Sequence, residues 1–379
     1  MRDLLILGDI FLRFKQNPNI LQINDYFSDE LLGLLKSTSF CVGNLESPFT
    51  NSNDNILKNG PNLKTNPEYS QILNQLNLHL VNLCNNHIKD FGVKGINDTI
   101  DNLKNIGIGF FGICSKDNYD GNFHLQIING KKIGFYTTCE NEFSGYIDEE
   151  IGANVLELPR VLSEIECYSK QCDYLIVLFH GGMELYRYPT PFQQNICRAF
   201  IDGGANIVIC QHSHCVGCEE QYSGGTIVYG QGNFYFGASD IEEYKTSMLV
   251  SLSFAEKISI EYIPIYLRDE TIDIAKNELQ NAIIDGFKKR SKELLKCGAD
   301  QLFFDNKILN NYDFLYVLFN KGKWYSRIDR HIFKCKLIKR YAKKNKRKVL
   351  SLVNFFKCET HREYVTKELE SVVDTLRKK

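Results

Sequence analysis

DYLIVLFHGGMELYRYPTPFQQNICRAFIDGGANIVICQHSHCVGCEEQYSGGTIVYGQGNF, residues Asp173 to Phe234, is the stretch of this 379-residue chain that decides its fold. An apolar run from Tyr174 to Phe179 ends on His180 and two glycines. A second, Ala205 to Cys210, ends on Gln211-His212-Ser213-His214, and a third, Thr226 to Tyr229, on Gly230-Gln231-Gly232-Asn233. Short apolar runs bounded by glycine and polar residues read as buried strands. Each delivers a histidine or an amide at its carboxyl end, and open α/β sheets place ligands outside the carboxyl ends of their strands. Neutral imidazole is the commonest metal ligand among side chains. Side chains alternate along an extended segment, so His212 and His214 are expected on one side of it. With His180 arriving from a separate strand, the three point to a borderline divalent metal such as zinc, manganese or iron.

The same grammar runs upstream. Leu4 to Leu7 is apolar and ends on Gly8-Asp9; Ser39 to Leu45 reads as a strand ending on Glu46; His79 to Leu83 runs into Cys84-Asn85-Asn86-His87. Helical patterns alternate with these strands, over residues 25–37, from Asn66-Pro67-Glu68 to about Leu76, and from Asp90 to Asn105 with Ile96, Ile100 and Leu103 as its stripe. Ile108 to Gly112 reads as a fourth strand, and Phe123 to Ile128 and Lys132 to Thr138 as a hairpin turned at Asn129-Gly130. Asp9 and Glu46 thus join the asparagines and histidines at strand ends. Carboxylates and imidazoles without thiolates suit hard-to-borderline divalent ions. Two carboxylates and four histidines exceed what one ion takes, which favours a two-metal hydrolytic site.

At 43% hydrophobic and 24% charged the composition is that of a soluble globular protein, and the length suggests two or three domains. The net charge of −1 hides an asymmetry: residues 268–379 hold 27 Lys and Arg against 15 Asp and Glu, a surplus of +12 that leaves −13 on the rest. This places a boundary between Pro264 and Asp269 and divides the chain into a domain at 1–266 and a basic, mostly helical region at 267–379. No apolar run approaches the roughly 20 residues of a spanning helix. No secretory pattern precedes the first strand, and the thirteen cysteines are scattered. A reducing, cytoplasmic setting is expected, possible contact with the inner face of a membrane aside. Cys215 and Cys218 lack a second C-x-x-C and read as strand cysteines. No nucleic-acid motif occurs, and nucleic acid is not an expected partner.

Taken in order, Gly8-Asp9-Ile10-Phe11-Leu12-Arg13, Asn44-Leu45-Glu46-Ser47-Pro48, Asn85-Asn86-His87 with Asp90 and Gly92, His180-Gly181-Gly182-Met183-Glu184-Leu185-Tyr186, Gln193, Ile201-Asp202-Gly203-Gly204-Ala205, His212-Ser213-His214 and Gly232-Asn233-Phe234 form an ordered set. This set resembles the capsule-synthesis CapA proteins, the poly-γ-glutamate synthesis family within the calcineurin-like metallophosphatase superfamily. The resemblance spans Leu4 to Pro264. It implies an α/β fold, a four-layer α-β-β-α metallophosphatase-like sandwich, here followed by a mainly helical C-terminal region.

The resemblance also implies roles. Glu46 bridges two metals; Asn86, His180 and His212 hold one, and Asp9 and His214 the other. The cofactor is one or two divalent ions, manganese, iron or zinc. His87 protonates the leaving group, Arg13 stabilises phosphoryl charge, and Glu184 supports a ligand histidine. Three positions depart from the superfamily pattern: Phe11 stands where the first motif has a ligand histidine, Glu46 where it has a bridging aspartate, and Ser213 where this family has proline. The implied activity is hydrolysis of a phosphate ester by metal-activated water during capsule or envelope polymer synthesis. Its substrate would be a phosphorylated sugar, a nucleotide-sugar or a lipid-linked intermediate. The alternative is a non-hydrolytic assembly component that uses the metal fold as a binding platform.

Downstream, residues 271–296 and Glu363 to Leu376 read as helices, and Asn310 to Phe319 as an apolar, aromatic stretch. Arg327 to Lys348 carries eleven basic residues against Asp329 alone, with Ile328, Ile332, Phe333, Leu337, Ile338 and Tyr341 near helical spacing. Such a helix lies on an anionic membrane surface or docks on the acidic N-terminal domain with its lysines solvated.

Overall fold

The computed structural model describes residues 2–16, 21–58, 60–115, 120–145, 151–255, 258–304, 340 and 343–377. The chain forms two compact units, Met1–Ile56 with Asn62–Phe303, and Leu57–Pro61 with Phe304–Lys379.

The first unit holds two large sheets and a small two-stranded one. β1 (Leu4–Ile10), β2 (Phe40–Leu45), β3 (Leu80–Asn82) and β4 (Gly109–Phe111) run parallel, each followed by the connection the sequence suggests. The short strands β5 (Ile113–Ser115) and β8 (Ile151–Ala153) pair apart from them. The hairpin β6 (Phe123–Ile128) and β7 (Lys131–Cys139) turns at Asn129 and Gly130, both at positive φ as this tight turn requires. β7 opens a second sheet with β9 (Tyr174–His180), β10 (Ile207–Gln211), β11 (Val216–Tyr222) and β12 (Gly225–Gln231), in the order β11-β12-β10-β9-β7-β6. The chain then returns to the first sheet through β13 (Asn233–Tyr235), β14 (Thr246–Phe254), β15 (Ile258–Arg268) and β16 (Thr271–Ile274). The order of that sheet is β16-β15-β14-β1-β2-β3-β4, with β13 also paired to β1.

Alternation along each strand sorts the core into layers. Leu4, Ile6 and Val42 of the first sheet face Ile176, Leu178, Ile207 and Ile209 of the second, forming the inner core. Leu5, Leu7 and Cys41 face outward onto α1 (Asp29–Lys36), α2 (Gln71–Gln75) and α3 (Gly92–Asn105), through Leu31, Leu35, Leu73, Ile96 and Leu103. On the other side Val177, Phe179, Val208 and Cys210 pack on α4 (Leu158–Ser169) and α5 (Pro191–Asp202), through Val161, Ile165, Ile196 and Phe200. The result is the four-layer α-β-β-α sandwich. α1 starts where Ser28 caps it, its hydroxyl accepting from Leu31 N at 3.2 Å. Asp29 and Glu30 in the first turn and Lys36 in the last complement the helix dipole.

Two expectations are corrected downstream of β15. Residues 271–274 are not helical. Ile272 is buried between the more exposed Thr271 and Asp273, a period-two pattern, and the strand closes a hairpin through the pair Arg268 and Thr271. Helix α6 (Asn277–Phe304), broken by a kink at Gly298 where φ is 73°, begins only after it. The boundary expected after residue 266 falls inside β15, and the first unit continues to Phe303. The charge of a segment does not decide its packing: Ile283 and Phe287 of α6 join the inner core, and Leu294 and Ala299 join the outer one.

In the second unit α7 (Lys346–Lys357) is followed by α8 (Glu359–Arg377), which contains the expected final helix. Asn354 Nδ2 lies 2.9 Å from His361 Nδ1 across their junction. The stretch 310–319 falls outside the described residues, as does most of the basic segment 327–348, of which only 340 and 343–348 are described. No helix among the described residues is long and apolar enough to cross a membrane.

The seam between β1 and β13 sets a test of packing. A Cβ on Gly8 would lie 1.9 Å from the carbonyl oxygen of Gly232, a backbone atom that cannot rotate away, whereas one on Gly33 in α1 meets nothing within 4 Å. Gly8→Ala is expected to destabilise the protein by about 3 kcal/mol, and Gly33→Ala to stabilise it by about 0.5–1 kcal/mol. Urea denaturation midpoints of the two variants check the opposite signs.

Candidate metal centre

The carboxyl ends of both sheets meet at one place. Two glutamines hold them there: Gln211 Nε2 donates to Leu7 O at 3.2 Å, and Gln231 Nε2 to Ile6 O and Met248 O, each at 3.0 Å. These side chains leave the second sheet and satisfy carbonyls of the first inside a region that excludes water. Leaving such buried groups unpaired costs about 1–3 kcal/mol each.

Around this seam the structure gathers five of the residues expected as ligands into two groups. Ligand atoms of Glu46, His180 and His212 all lie within 4.8 Å of one another, as do those of Asp9, Glu46 and His214. Glu46 belongs to both groups. All five side chains are buried. His180 Nε2 stands 3.0 Å from Asn86 Oδ1, 3.2 Å from His212 Nδ1 and 3.8 Å from Glu46 Oε1, so Asn86 joins the first group. In the second, His214 lies 3.5 Å from Asp9 Oδ2 through Nδ1 and 3.7 Å from Glu46 Oε1 through Nε2. Nitrogen and oxygen donors turned toward one another suit divalent cations, and the donor set is carboxylate, imidazole and amide without thiolate. The residues therefore fit the implied metals.

Supporting bonds aim these donors, as outer partners do at metal sites. Asn44 Nδ2 donates to Asp9 Oδ1 at 2.8 Å, and His212 N to Asp9 Oδ2 at 3.1 Å. Asn86 Nδ2 donates to Glu142 Oε2 at 3.1 Å, which turns its oxygen to His180. Asn233 Oδ1 lies 2.8 Å from His214 Nδ1. Glu140 Oε1 accepts from Gly182 N at 3.1 Å and fixes the turn after His180. Glu140 and Glu142 escaped the sequence reading. The available signal was their place just past a strand end, because Cys139 of β7 pairs in register with His180.

The electrostatics divide the histidines. Burial and the neighbouring His212 push the His180 imidazole well below its usual value, against the pull of Asp9. A neutral ring is the form that binds metal. Burial works the same way on His214, but Glu46 and Asp9 outweigh it and raise the ring to about 10. Burial raises the Asp9 carboxyl, while the bond from His214, the charges of His180 and His214, and the Asn44 amide together bring it below its usual value.

The route of the H-x-H segment corrects an expectation. His212 and His214 are not on one side of an extended strand. Both have positive φ, 91° and 55°, a conformation that costs a non-glycine residue about 1–3 kcal/mol. The kink sends His212 to one group and His214 to the other, so one short segment serves both. Phe11, in place of a ligand, is buried with its ring 5.3 Å from that of Phe236, and Phe236 and Tyr244 flank His214 at 4.8 and 5.1 Å.

Of the other expected residues, His87 is buried beside the centre, its Nδ1 2.7 Å from Asp90 Oδ2. Asn85 Oδ1 accepts from His87 N and Ile88 N at 3.1 and 2.9 Å and so shapes the loop. Arg13 and Glu184 are exposed. Glu184 acts on His214 through its charge, and no hydrogen bond or ion pair among the described residues ties either side chain to the ligands.

Residues 3–238 match the family described as bacterial capsule synthesis protein PGA_cap, and the chain belongs to that family. It is 28% identical over 284 residues to the PGA biosynthesis protein CapA of Bacillus subtilis strain 168, an alignment covering 72% of this chain and 73% of that protein. It is 27% identical over 221 residues to the capsule biosynthesis protein CapA of Bacillus anthracis, covering 56% and 54%. Among solved structures, a hypothetical protein from Thermus thermophilus aligns with a TM-score of 0.42 at 14% identity, covering 70% of this chain and 99% of that one.

Proposed function

We propose that this capsule-synthesis family member is a metal-dependent phosphoesterase. The observation that carries the reading is the pair of buried donor groups sharing Glu46. Divalent ions held there would supply an activated water and neutralise charge on a phosphoryl group. Asp9, Glu46 and His214 would hold one ion, and Glu46, Asn86, His180 and His212 the other. Asn44 and Glu142 keep Asp9 and Asn86 in their orientations. His87, held by Asp90, delivers a proton to the departing oxygen. Family membership supports a substrate in polymer assembly, a phosphorylated sugar, a nucleotide-sugar or a lipid-linked intermediate.

Hydrolysis of bis(p-nitrophenyl) phosphate and p-nitrophenyl phosphate by the purified full-length chain tests this. Turnover is expected with added manganese, lost with chelator and restored by the metal. A chain that binds manganese yet turns over neither ester would overturn the enzyme reading and leave the binding platform.

A further inference from the structure

Two arginines beside the metal centre share one backbone carbonyl. Arg187 Nη1 donates to Val216 O at 3.2 Å, and Arg290 Nη2 donates to the same oxygen at 3.0 Å. Arg290 Nε also donates to Gly217 O at 2.7 Å. The two guanidiniums thus approach within about 6 Å, the two bonds laid end to end. Both side chains are only partly exposed. Like charges this close repel, the more so where water is partly excluded.

The described residues give neither of them a direct charge partner. Neither guanidinium has a carboxylate partner. Glu293, one turn along α6 from Arg290, is engaged by the Tyr188 hydroxyl and lies 4.0 Å from Lys289. After burial and Arg187, the titratable groups that act most on Arg290 are Cys218, Tyr188 and Cys215. Burial raises all three, Cys215 to about 11, so they are neutral near pH 7. The Val216 carbonyl has two acceptor lone pairs and takes one N–H from each guanidinium. The bonds made engage one N–H of Arg187 and two of Arg290, and each fork offers about five.

The arrangement is built rather than loose. Gly217 lets the loop carrying Arg187 pass close by, since a Cβ there would stand 3.3 Å from Arg187 O and 1.6 Å from Tyr229 O. Ser291, next to Arg290, is pinned to the sheet by Glu219 N at 2.8 Å. The Arg187 loop is tied to the metal-binding segment through Leu185 N and Ser213 O at 2.9 Å.

We infer that Arg187 and Arg290 form a binding site for an anionic group, a carboxylate or a phosphate. Planar guanidinium forks match both groups through paired hydrogen bonds. The site does not depend on the metal centre being catalytic.

The test is titration of the full-length chain with inorganic phosphate and, separately, with acetate, at constant ionic strength and with chelator present so that phosphate is not read through a metal. Calorimetry is expected to show binding of at least one anion by the wild type. Arg187→Gln is expected to weaken it roughly tenfold, as loss of a charged hydrogen bond does, and Arg187→Lys by less. The variant without anion should melt no lower than the wild type, because removing one of two like charges relieves repulsion. Response to phosphate alone assigns a phosphate group, and response to acetate a carboxylate. No binding of either anion, or equal binding by wild type and Arg187→Gln, overturns the site. Arg187 lies on a surface loop, so its substitution leaves the fold available for the comparison.

Discussion

Glu46→Ala is expected to remove both metal ions at once, whereas His212→Ala and His214→Ala each remove one. The expectation follows from membership: Glu46 lies in both donor groups, His212 in one and His214 in the other. Losing an outer partner of a metal ligand already weakens binding roughly 10- to 100-fold, so losing a shared carboxylate ligand should exceed that. Hydrolysis should fall by at least ~10²-fold, since the groups that stabilise developing charge leave with it. Elemental analysis after manganese or zinc loading measures the stoichiometry directly. Glu46 is fully buried, so Glu46→Gln serves beside the alanine variant, keeping the shape while removing the charge. Circular dichroism confirms that the compared proteins are folded. Glu46→Gln holding as much metal as the wild type would remove Glu46 from the centre, and with it the reason for reading two sites instead of one.

The donor residues gathered at the centre stand out in the sequence because each lies at or just beyond a strand terminus, where an apolar run stops abruptly. Asp9 and His180 are the clearest, ending runs whose side chains alternate between two buried layers. The path between ligands was less legible. Periodicity describes regular backbone, and the segment from His212 to His214 leaves it at two positive-φ residues. Alternation along an extended strand would put both rings on one side, whereas the kink divides them between two donor groups. Glu140 and Glu142 were missed for another reason. Their roles depend on β7 lying beside β9, a pairing that joins residues about forty positions apart and that no local pattern announces. The edge of the first sheet was misread where helix and strand compete. Residues 271–274 are too few to establish a period, and it is pairing with β15 that makes them a strand. The same tertiary logic explains α6: its surface is rich in lysine, yet Ile283, Phe287 and Leu294 carry it into the cores of the first unit.

His87→Asn is expected to retain its metal and lose roughly 10²- to 10⁴-fold in rate, the range for removal of a general acid. His87 adjoins Asn86, whose oxygen stands 3.0 Å from His180, so its ring is at the edge of the centre without being a member of either donor group. Asp90 Oδ2 lies 2.7 Å from Nδ1, and the same oxygen accepts from Leu63 N at 2.6 Å. The carboxylate is therefore held in place and orients the ring, with Nδ1–H donated to it and Nε2 as the atom that delivers a proton. A proton on the departing oxygen matters most when that oxygen is strongly basic. The loss should thus be large for an alkyl or sugar phosphate and much smaller for p-nitrophenyl phosphate, whose leaving group departs readily as an anion. Rates for the two ester classes, with wild type and variant loaded with the same metal, give the ratio directly. Equal losses on good and poor leaving groups would make His87 a structural residue of the loop, with Asp90 serving chiefly to fix Leu63.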